Sequence, residues 1–446
     1  MKFSKYLPDF GWRPVILSVK NPDTKIIDDS LLKELPENTK IYKAYSFEFV
    51  RIEDWVFEKI YGRRQYQAQP AKPRVSGDSN SPATPVRQSP LKRFVLTPLR
   101  NVIHNFVNTP DGKVGWIPFA IVKGLWIIWR EKIDVILSTS PPESGHVIAL
   151  ILSFLTRKKL VVDFRDPWTT HDNRRNLETT ALWAPRVSKS RFRYERWLER
   201  RTLSRAGAII HTGNGRAQLV KESFPTIDAG KHHVITNGYD EADFATIQPV
   251  SQDQTAKCLH IFSIGEIYTD SAIENLLIAL ENLIAAEGIG SEIKLTFVSE
   301  SVEMWRERLS VPPFDKNVSV LGFRPHKEAV AMMTQADVLL LLVPSGSEVM
   351  RDRVIAGRTF EYMRSARPIL MIGWEGESSR ILSAGGTLTF VPHDDIKKIE
   401  HVILEFHRRK MAGELVANPN WEFVRQFDRK LQTGRLAGLM DSLIKR

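Results

Sequence analysis

The sequence predicts an α/β chain of two doubly wound domains, each built around its own parallel sheet. Three observations carry this. Short β-branched and aliphatic runs recur in two series, nearly continuously apolar, as strands covered on both faces require. Between them lie apolar residues at spacings of three and four, clearest at Ile273, Leu276, Leu277, Leu280 and Ile284, the signature of amphipathic helices. A polar stretch without periodicity, Gln248–Lys257, separates the two series. Alternating strands and helices of this kind form open parallel sheets.

Taken in order, Phe3, Tyr6, Leu7 and Phe10 follow helical spacing, and Gly11 ends that helix before a strand at Val15–Val19. A doubly wound domain normally opens on a strand that takes a central place in its sheet. That first strand is missing here, so the expectation is a start lying about one βα unit inside the domain. Residues Gln67–Lys92, with five prolines among Ser, Gln and Asn, bury too little apolar surface to fold and are expected to be a mobile insertion. Strands are then expected at Asp134–Ser138, Leu160–Asp163, Ala208–His211 and Val234–Thr236. In the second series they fall at Leu259–Ile264, Ile293–Val298, Val318–Leu321, Val338–Val343, Ile369–Ile372 and Leu388–Val391. The close, Trp421–Lys445, reads as one or two amphipathic helices resting on Phe423, Phe427, Leu431, Leu436, Leu439 and Leu443. The domain boundaries expected are 1–250, 258–420 and a terminal helical segment 421–446.

The chain has 446 residues, 63 Lys+Arg against 52 Asp+Glu and a formal charge of +11. A single cysteine, Cys258, forbids an intrachain disulfide and favours a reducing, cytoplasmic setting. The most apolar stretches, around Trp126–Trp129 and at Val147–Leu155, fall short of the ~18–20 residues a membrane span needs. The run Val15–Leu17 is too short for a signal peptide. The positive balance leaves nucleic acid, an anionic membrane surface or an anionic substrate as partners. Basic residues in Arg191–Arg205 alternate with Glu195 and Glu199 on a helix and accompany no recognition module, so nucleic acid is the weakest of these. The aromatic and basic stretch Trp116–Lys132 is the candidate for membrane contact, with core packing as its alternative.

Three segments could carry chemistry. In Val162–Trp168 (VDFRDPW) a buried strand runs out into Arg165 and Asp166, at the sheet edge where open α/β folds bind ligands. An Arg165–Asp166 ion pair capping the loop is an equally open reading. Ser138–His146 (STSPPESGH) leaves another strand at its carboxyl end and sets His146 in the first turn of a helix, where N–H groups and the dipole favour anions. In Arg353–Pro368, Gly357, Arg358 and Glu361 gather around a helix start. A carboxylate there can accept two hydroxyls and an arginine can meet a phosphate, although dipole partner and surface charge are the plainer roles. HExxH, the Walker phosphate loop and CxxC pairs are absent.

In this order the segments FGWRPVILSV, DVILSTSPPESGH, VVDFRDPW, HVITNGYDEADF, FSIGEIY, LGFRPHKEAVAMMTQADVLLLLV, GRTFEYMRSARPIL and FVRQFDRKLQTGRLAGLM resemble the GT-B glycosyltransferases of the group 1, family-four type, over nearly the whole chain. The resemblance implies two facing Rossmann-like domains, an acceptor side in the first and a nucleotide-sugar site in the second, with the last helix returning to the first domain. It implies a retaining transferase that moves a sugar from a UDP- or GDP-sugar to a glycan or lipid-linked acceptor. The reaction would need no metal and no other cofactor. Members build bacterial cell-surface polysaccharides or glycolipids, which implies work in the cytoplasm at the inner membrane face.

Position by position, the resemblance gives Glu361 the donor ribose, Gly322, Phe323 and Arg324 the base pocket, and Gly265 the loop under the pyrophosphate. Arg358 stands where relatives commonly carry Lys, while His146 and Asp166 would face the reacting sugar or acceptor. The chain departs from the pattern at Arg353, the place of the first glutamate, in Glu266–Asp270, which lack the usual basic clamp, and in the absent first strand. These departures carry the alternative of a catalytically degenerate GT-B scaffold or binding partner in the same pathway.

Overall fold

The computed structural model of the chain describes residues 2–22, 31–47, 109–170, 188–245, 258–265, 271–286, 292–299, 303–343, 353 and 355–445. The expected insertion Gln67–Lys92, the separator Gln248–Lys257 and the loop Glu266–Asp270 lie outside them. The chain divides into two compact units. One comprises Trp12–Ile27, Pro36–Ile235 and Leu436–Arg446, the other Met1–Gly11, Asp28–Leu35 and Thr236–Arg435.

The first unit holds β1 (Val15–Val19) and β2 (Lys40–Ala44) as a parallel pair, and β3 (Val135–Ser140), β4 (Lys159–Phe164), β5 (Ala208–His211) and β6 (His232–Val234) as a four-stranded parallel sheet in that order. β2 was not anticipated. Its sequence, KIYKA, exposes both lysines and buries only Ala44 fully, so it lacks the apolar run that marks its neighbours. β6 falls two residues before the expected run. Leu160, Val162 and Phe164 of β4 pack with Trp168, Leu198, Leu203 and Ile209 in one core, while Ala44 joins Ala120, Ile128, Ile148 and Leu152 in a second.

The second unit holds β7 (Leu259–Ile264), β8 (Ile293–Val298), β9 (Val318–Leu321), β10 (Val338–Leu342), β11 (Ile369–Gly373) and β12 (Leu388–Pro392) in the order β12-β11-β10-β7-β8-β9, all parallel. Successive residues face opposite sides. Leu340 and Leu342 join one core with Leu259, Ile261 and Leu295, and Leu339 and Leu341 join another with Phe262, Phe360 and Met371. Both faces being covered, β10 is buried at all five residues, which is why it reads as VLLLL.

The helix Lys2–Tyr6 and the turn Leu7–Phe10 belong to this second unit, closed by Gly11 at a φ of 78°. The expected terminal helices form at Trp421–Arg425 and Arg429–Ile444, but they bury Val424, Leu436 and Met440, whereas Leu431 is 53% exposed. Among the described residues no helix is long and apolar enough to cross a membrane.

Candidate functional site

The order of the six-stranded sheet reverses between β7 and β10, because β8 and β9 lie to one side and β11 and β12 to the other. Beyond the carboxyl ends of two such strands the connecting loops part and leave a crevice. Arg358 occupies that place. It caps the helix Thr359–Arg364, and its guanidinium donates from Nη1 to the carbonyl of Ile264, the last residue of β7. From Nη2 it donates to the carbonyl of Leu342, the last residue of β10, at 3.3 Å. One side chain thus spans the switch point. Among the described residues the hydrogen-bond acceptors of Arg358 are carbonyl oxygens and its Nε is enclosed without a partner, so no carboxylate cancels its charge.

Gly265 follows β7 with a φ of +104°, and a Cβ there would stand 2.4 Å from Nη1 of Arg358. Only glycine supplies both the left-handed backbone and the room. Beneath, the Tyr362 hydroxyl accepts from the Ile264 N–H at 3.0 Å and donates to the Leu340 carbonyl at 3.3 Å, tying the two strands together. A helix of six residues cannot hold itself in water. Buried Thr359, Phe360, Tyr362 and Met363 hold this one.

Glu361, within the first turn, keeps 25% of its side chain exposed, and burial of the rest pushes its carboxyl above the usual range. His326, first in the helix His326–Gln335, reaches it. Its Nε2 lies 3.7 Å from Oε1 of Glu361 and 2.9 Å from Oδ2 of Asp243. Asp243 in turn accepts from Lys2 at 3.0 Å. Lys2 also pairs with Glu34 and Asp240 at 2.7 Å, and Asp240 takes Lys5 at 2.7 Å and the Tyr6 hydroxyl at 2.5 Å. The carboxylates of Glu34, Asp240 and Asp243 are close enough together to hold a cation, and the ammonium groups of Lys2 and Lys5 already pair with them and offset two of the three charges. Gly322, Phe323 and Arg324 leave β9 just before His326. Phe323 is 42% exposed, Gly322 has open space around it, and Arg324 pairs with Glu328 at 3.2 Å. The loop after β9 therefore meets Glu361 through His326.

The sequence reading singled out none of His326, Asp243 and Lys2. The first two stand inside segments quoted for the resemblance, but charge pairs separated by tens to hundreds of residues leave no local pattern. Their pH dependence follows from direction. The hydrogen bond to Asp243 raises His326 above its ordinary 6.5, against the opposing effect of burial and with help from Glu361. A raised histidine contributes stability that is complete below its unfolded value and lost as pH climbs through its folded one. Asp243 behaves conversely. Burial opposes its ionisation, but the bonds from His326 and Lys2 prevail and hold it below its ordinary 3.8, so its contribution fades only in acid. Replacing His326 by Gln should therefore flatten the decline in urea midpoint as pH rises above the ordinary histidine value of 6.5. An unchanged slope would show that the imidazolium does not contribute.

On the four-stranded unit, Asp163 and Arg165 pair at 2.8 Å, and Arg165 also reaches the Ile235 carbonyl at 3.3 Å. The alternative pair of Arg165 with Asp166 does not form. Asp166 is 60% exposed beyond the end of β4, with Arg216 at 3.5 Å. His146 is fully buried in the helix Ser144–Thr156, its Nδ1 2.7 Å from the Ser138 hydroxyl and its ring against Phe164 at 4.5 Å. Burial lowers its pKa to about 3, so the ring is neutral. The start of that helix, anticipated as an anion site, already holds an anion. Asp111 accepts from the Ser144 N–H at 2.6 Å and the Ser144 hydroxyl at 2.7 Å. In the helix Lys189–Arg205, whose basic residues alternate with acids along the sequence, Arg191 and Glu195 are a buried pair at 2.7 Å.

Residues 60–238 match the family model described as a glycosyl transferase 4-like domain. Among curated proteins no sequence matches the chain. Solved structures do. Sucrose-phosphate synthase from Thermosynechococcus elongatus superposes with a TM-score of 0.59 at 12% identity, over 100% of this chain and 92% of that one. A glycosyltransferase from Rickettsia africae ESF-5 gives 0.55 at 12% identity, over 100% and 94%. Anabaena Alr3699/HepE in complex with UDP-glucose gives 0.50 at 15% identity, over 75% and 84%. With two parallel sheets of four and six strands in Rossmann-like domains, the chain has the GT-B fold, and its stretch 60–238 is similar to the glycosyl transferase 4-like family.

Proposed function

We propose that the protein is a retaining glycosyltransferase that moves a sugar from a UDP- or GDP-sugar to a glycan or lipid-linked acceptor, in the making of bacterial cell-surface polysaccharide or glycolipid. The observation that carries this is the guanidinium of Arg358 across the switch point, uncancelled by any carboxylate among the described residues, with Glu361 three residues on. A diphosphate suits the first and a vicinal diol the second. The family match and the UDP-glucose complex of a protein with this fold support the same reading.

In it, Gly265 lets the diphosphate approach β7, Arg358 meets the charge on the leaving diphosphate, and Glu361 accepts the ribose hydroxyls. Gly322, Phe323 and Arg324 receive the base, with the exposed Phe323 ring offering a stacking face. The bond from the anomeric carbon to the donor phosphate oxygen breaks, and the acceptor oxygen bonds that carbon from the same face. The acceptor proton passes to the departing phosphate, and the fixed charge of Arg358 is worth most as the leaving charge develops. Asp166, exposed beyond β4, and the neutral His146 behind it are assigned to the acceptor side. No metal or other cofactor is assigned a step. The protein would work in the cytoplasm.

A panel of UDP- and GDP-sugars with extracted lipid and glycan acceptors tests the reading. Transfer is expected with one donor, together with calorimetric binding of the matching nucleoside diphosphate. Absence of hydrolysis, transfer and binding alike would overturn it in favour of the scaffold alternative.

A further inference from the structure

The amino edge of the four-stranded sheet, opposite the edge that carries Asp166, has a surface that folding does not explain. The helix Ile117–Arg130 runs into β3 and the helix Ser144–Thr156 runs into β4. The two lie against each other so closely that a Cβ on Gly124 would meet Leu152 at 2.6 Å. Both helices run opposite to the strands they feed, so their carboxyl ends come out side by side. At those ends Trp129 is 80% exposed, Phe154 73% and Leu155 56%. Val122, on the outward stripe of the first helix, is 72% exposed. Single exposed apolar residues are ordinary, but an aromatic group of this kind at one edge marks a contact surface.

The rim decides its partner. The first residues of β3 and β4, Val135 and Lys159, stand opposite each other in the sheet, so the two links that precede them are neighbours. These links and the helix ends bring Arg130, Lys132, Arg157 and Lys159 into solvent, with Lys158 half-buried. Of the acids there, Asp134 is exposed, and Glu131 is enclosed and neutralised. The Tyr42 hydroxyl, Arg13 and Lys40 hold its carboxyl at a pKa of about 2. A cationic rim around protruding Trp, Phe and Leu is complementary to anionic lipid, whose headgroups attract the cations while the rings settle at the interface.

We infer that this edge is a membrane-docking surface for anionic phospholipid. The inference rests on these helix ends alone and stands or falls independently of the donor site. Co-sedimentation with vesicles of phosphatidylcholine, with and without phosphatidylglycerol, tests it. Binding to the phosphatidylglycerol vesicles alone is expected, weakening about 25-fold in Arg157→Gln/Lys159→Gln, at about fivefold per cation near a charged surface. Trp129→Ser/Phe154→Ser should reduce binding further while the circular dichroism spectrum and melting temperature stay unchanged, since both side chains are exposed. Three results would overturn the inference: equal binding to both vesicle types, binding indifferent to either double variant, or no vesicle binding. So would a change of oligomeric state in Trp129→Ser/Phe154→Ser, or co-purifying RNA lost in the charge variant, because either outcome hands the surface to another partner.

Discussion

Arg358→Ala should lower turnover of the nucleotide-sugar donor by about 10²–10³-fold, the usual cost of removing one preorganised donor from a developing negative charge. The reason is local. Arg358 is fixed at both ends of the switch point by carbonyls of Ile264 and Leu342, so in the proposed reaction its charge would already be oriented and need no rearrangement as a diphosphate departs. Arg358→Lys keeps the charge but cannot span two carbonyls with one planar fork, so it should recover binding better than turnover. Measuring kcat and KM for both variants separates the effects. If Arg358→Ala raised KM alone, the guanidinium would be only a binding group.

Phe360→Ala should destabilise the six-stranded unit by ~3–5 kcal/mol, the range for emptying a fully buried phenylalanine site. Phe360 is 0% exposed, sits in the core beneath β10 and packs its ring 4.8 Å from that of Phe427. The helix it belongs to is too short to persist without that packing, and the same six residues carry Glu361 and follow Arg358. Loss of stability should therefore be accompanied by loss of nucleoside diphosphate affinity even at temperatures where the variant remains folded. Urea unfolding followed by calorimetry at low temperature checks both. Full affinity in a destabilised variant would mean that Arg358 and Glu361 are held by something other than this helix.

Much of this could be read in advance where the signal is local. β5, β7, β8 and β9 fall on the expected residues because their runs are mostly apolar and β-branched, with only single polar residues such as Lys294 and Ser319 turned to solvent. The approximate start of the short helix after Arg358 was legible from its spacing, and the order of segments pointed to Arg358 and Glu361. Legibility fails where partners are distant or where an element has one wet face. KIYKA forms a strand although its lysines are exposed, and what makes it one is its pairing with β1, register Val15 to Lys40. Leu431 and Leu436 fit the same amphipathic pattern, yet only Leu436 is buried. The helix start at Ser144 looked free because the carboxylate that caps it, Asp111, lies 33 residues earlier. Nothing near Glu361 in the chain announces His326, Asp243 or Lys2.

The pairing of Lys2 with Asp243 and of Lys5 with Asp240 also has a temporal meaning. The partners are 241 and 235 residues apart. At a synthesis rate of about 5–20 residues per second, the opening helix leaves the ribosome roughly 10–50 s before its carboxylates exist. Through that interval it must tolerate solvent, and it is too short to be a stable helix alone. The unit it completes cannot close until the second half of the chain has been made. A helix made well over two hundred residues ahead of its partners is thus among the last elements to find its place, and the network that steadies Glu361 joins segments made far apart in time.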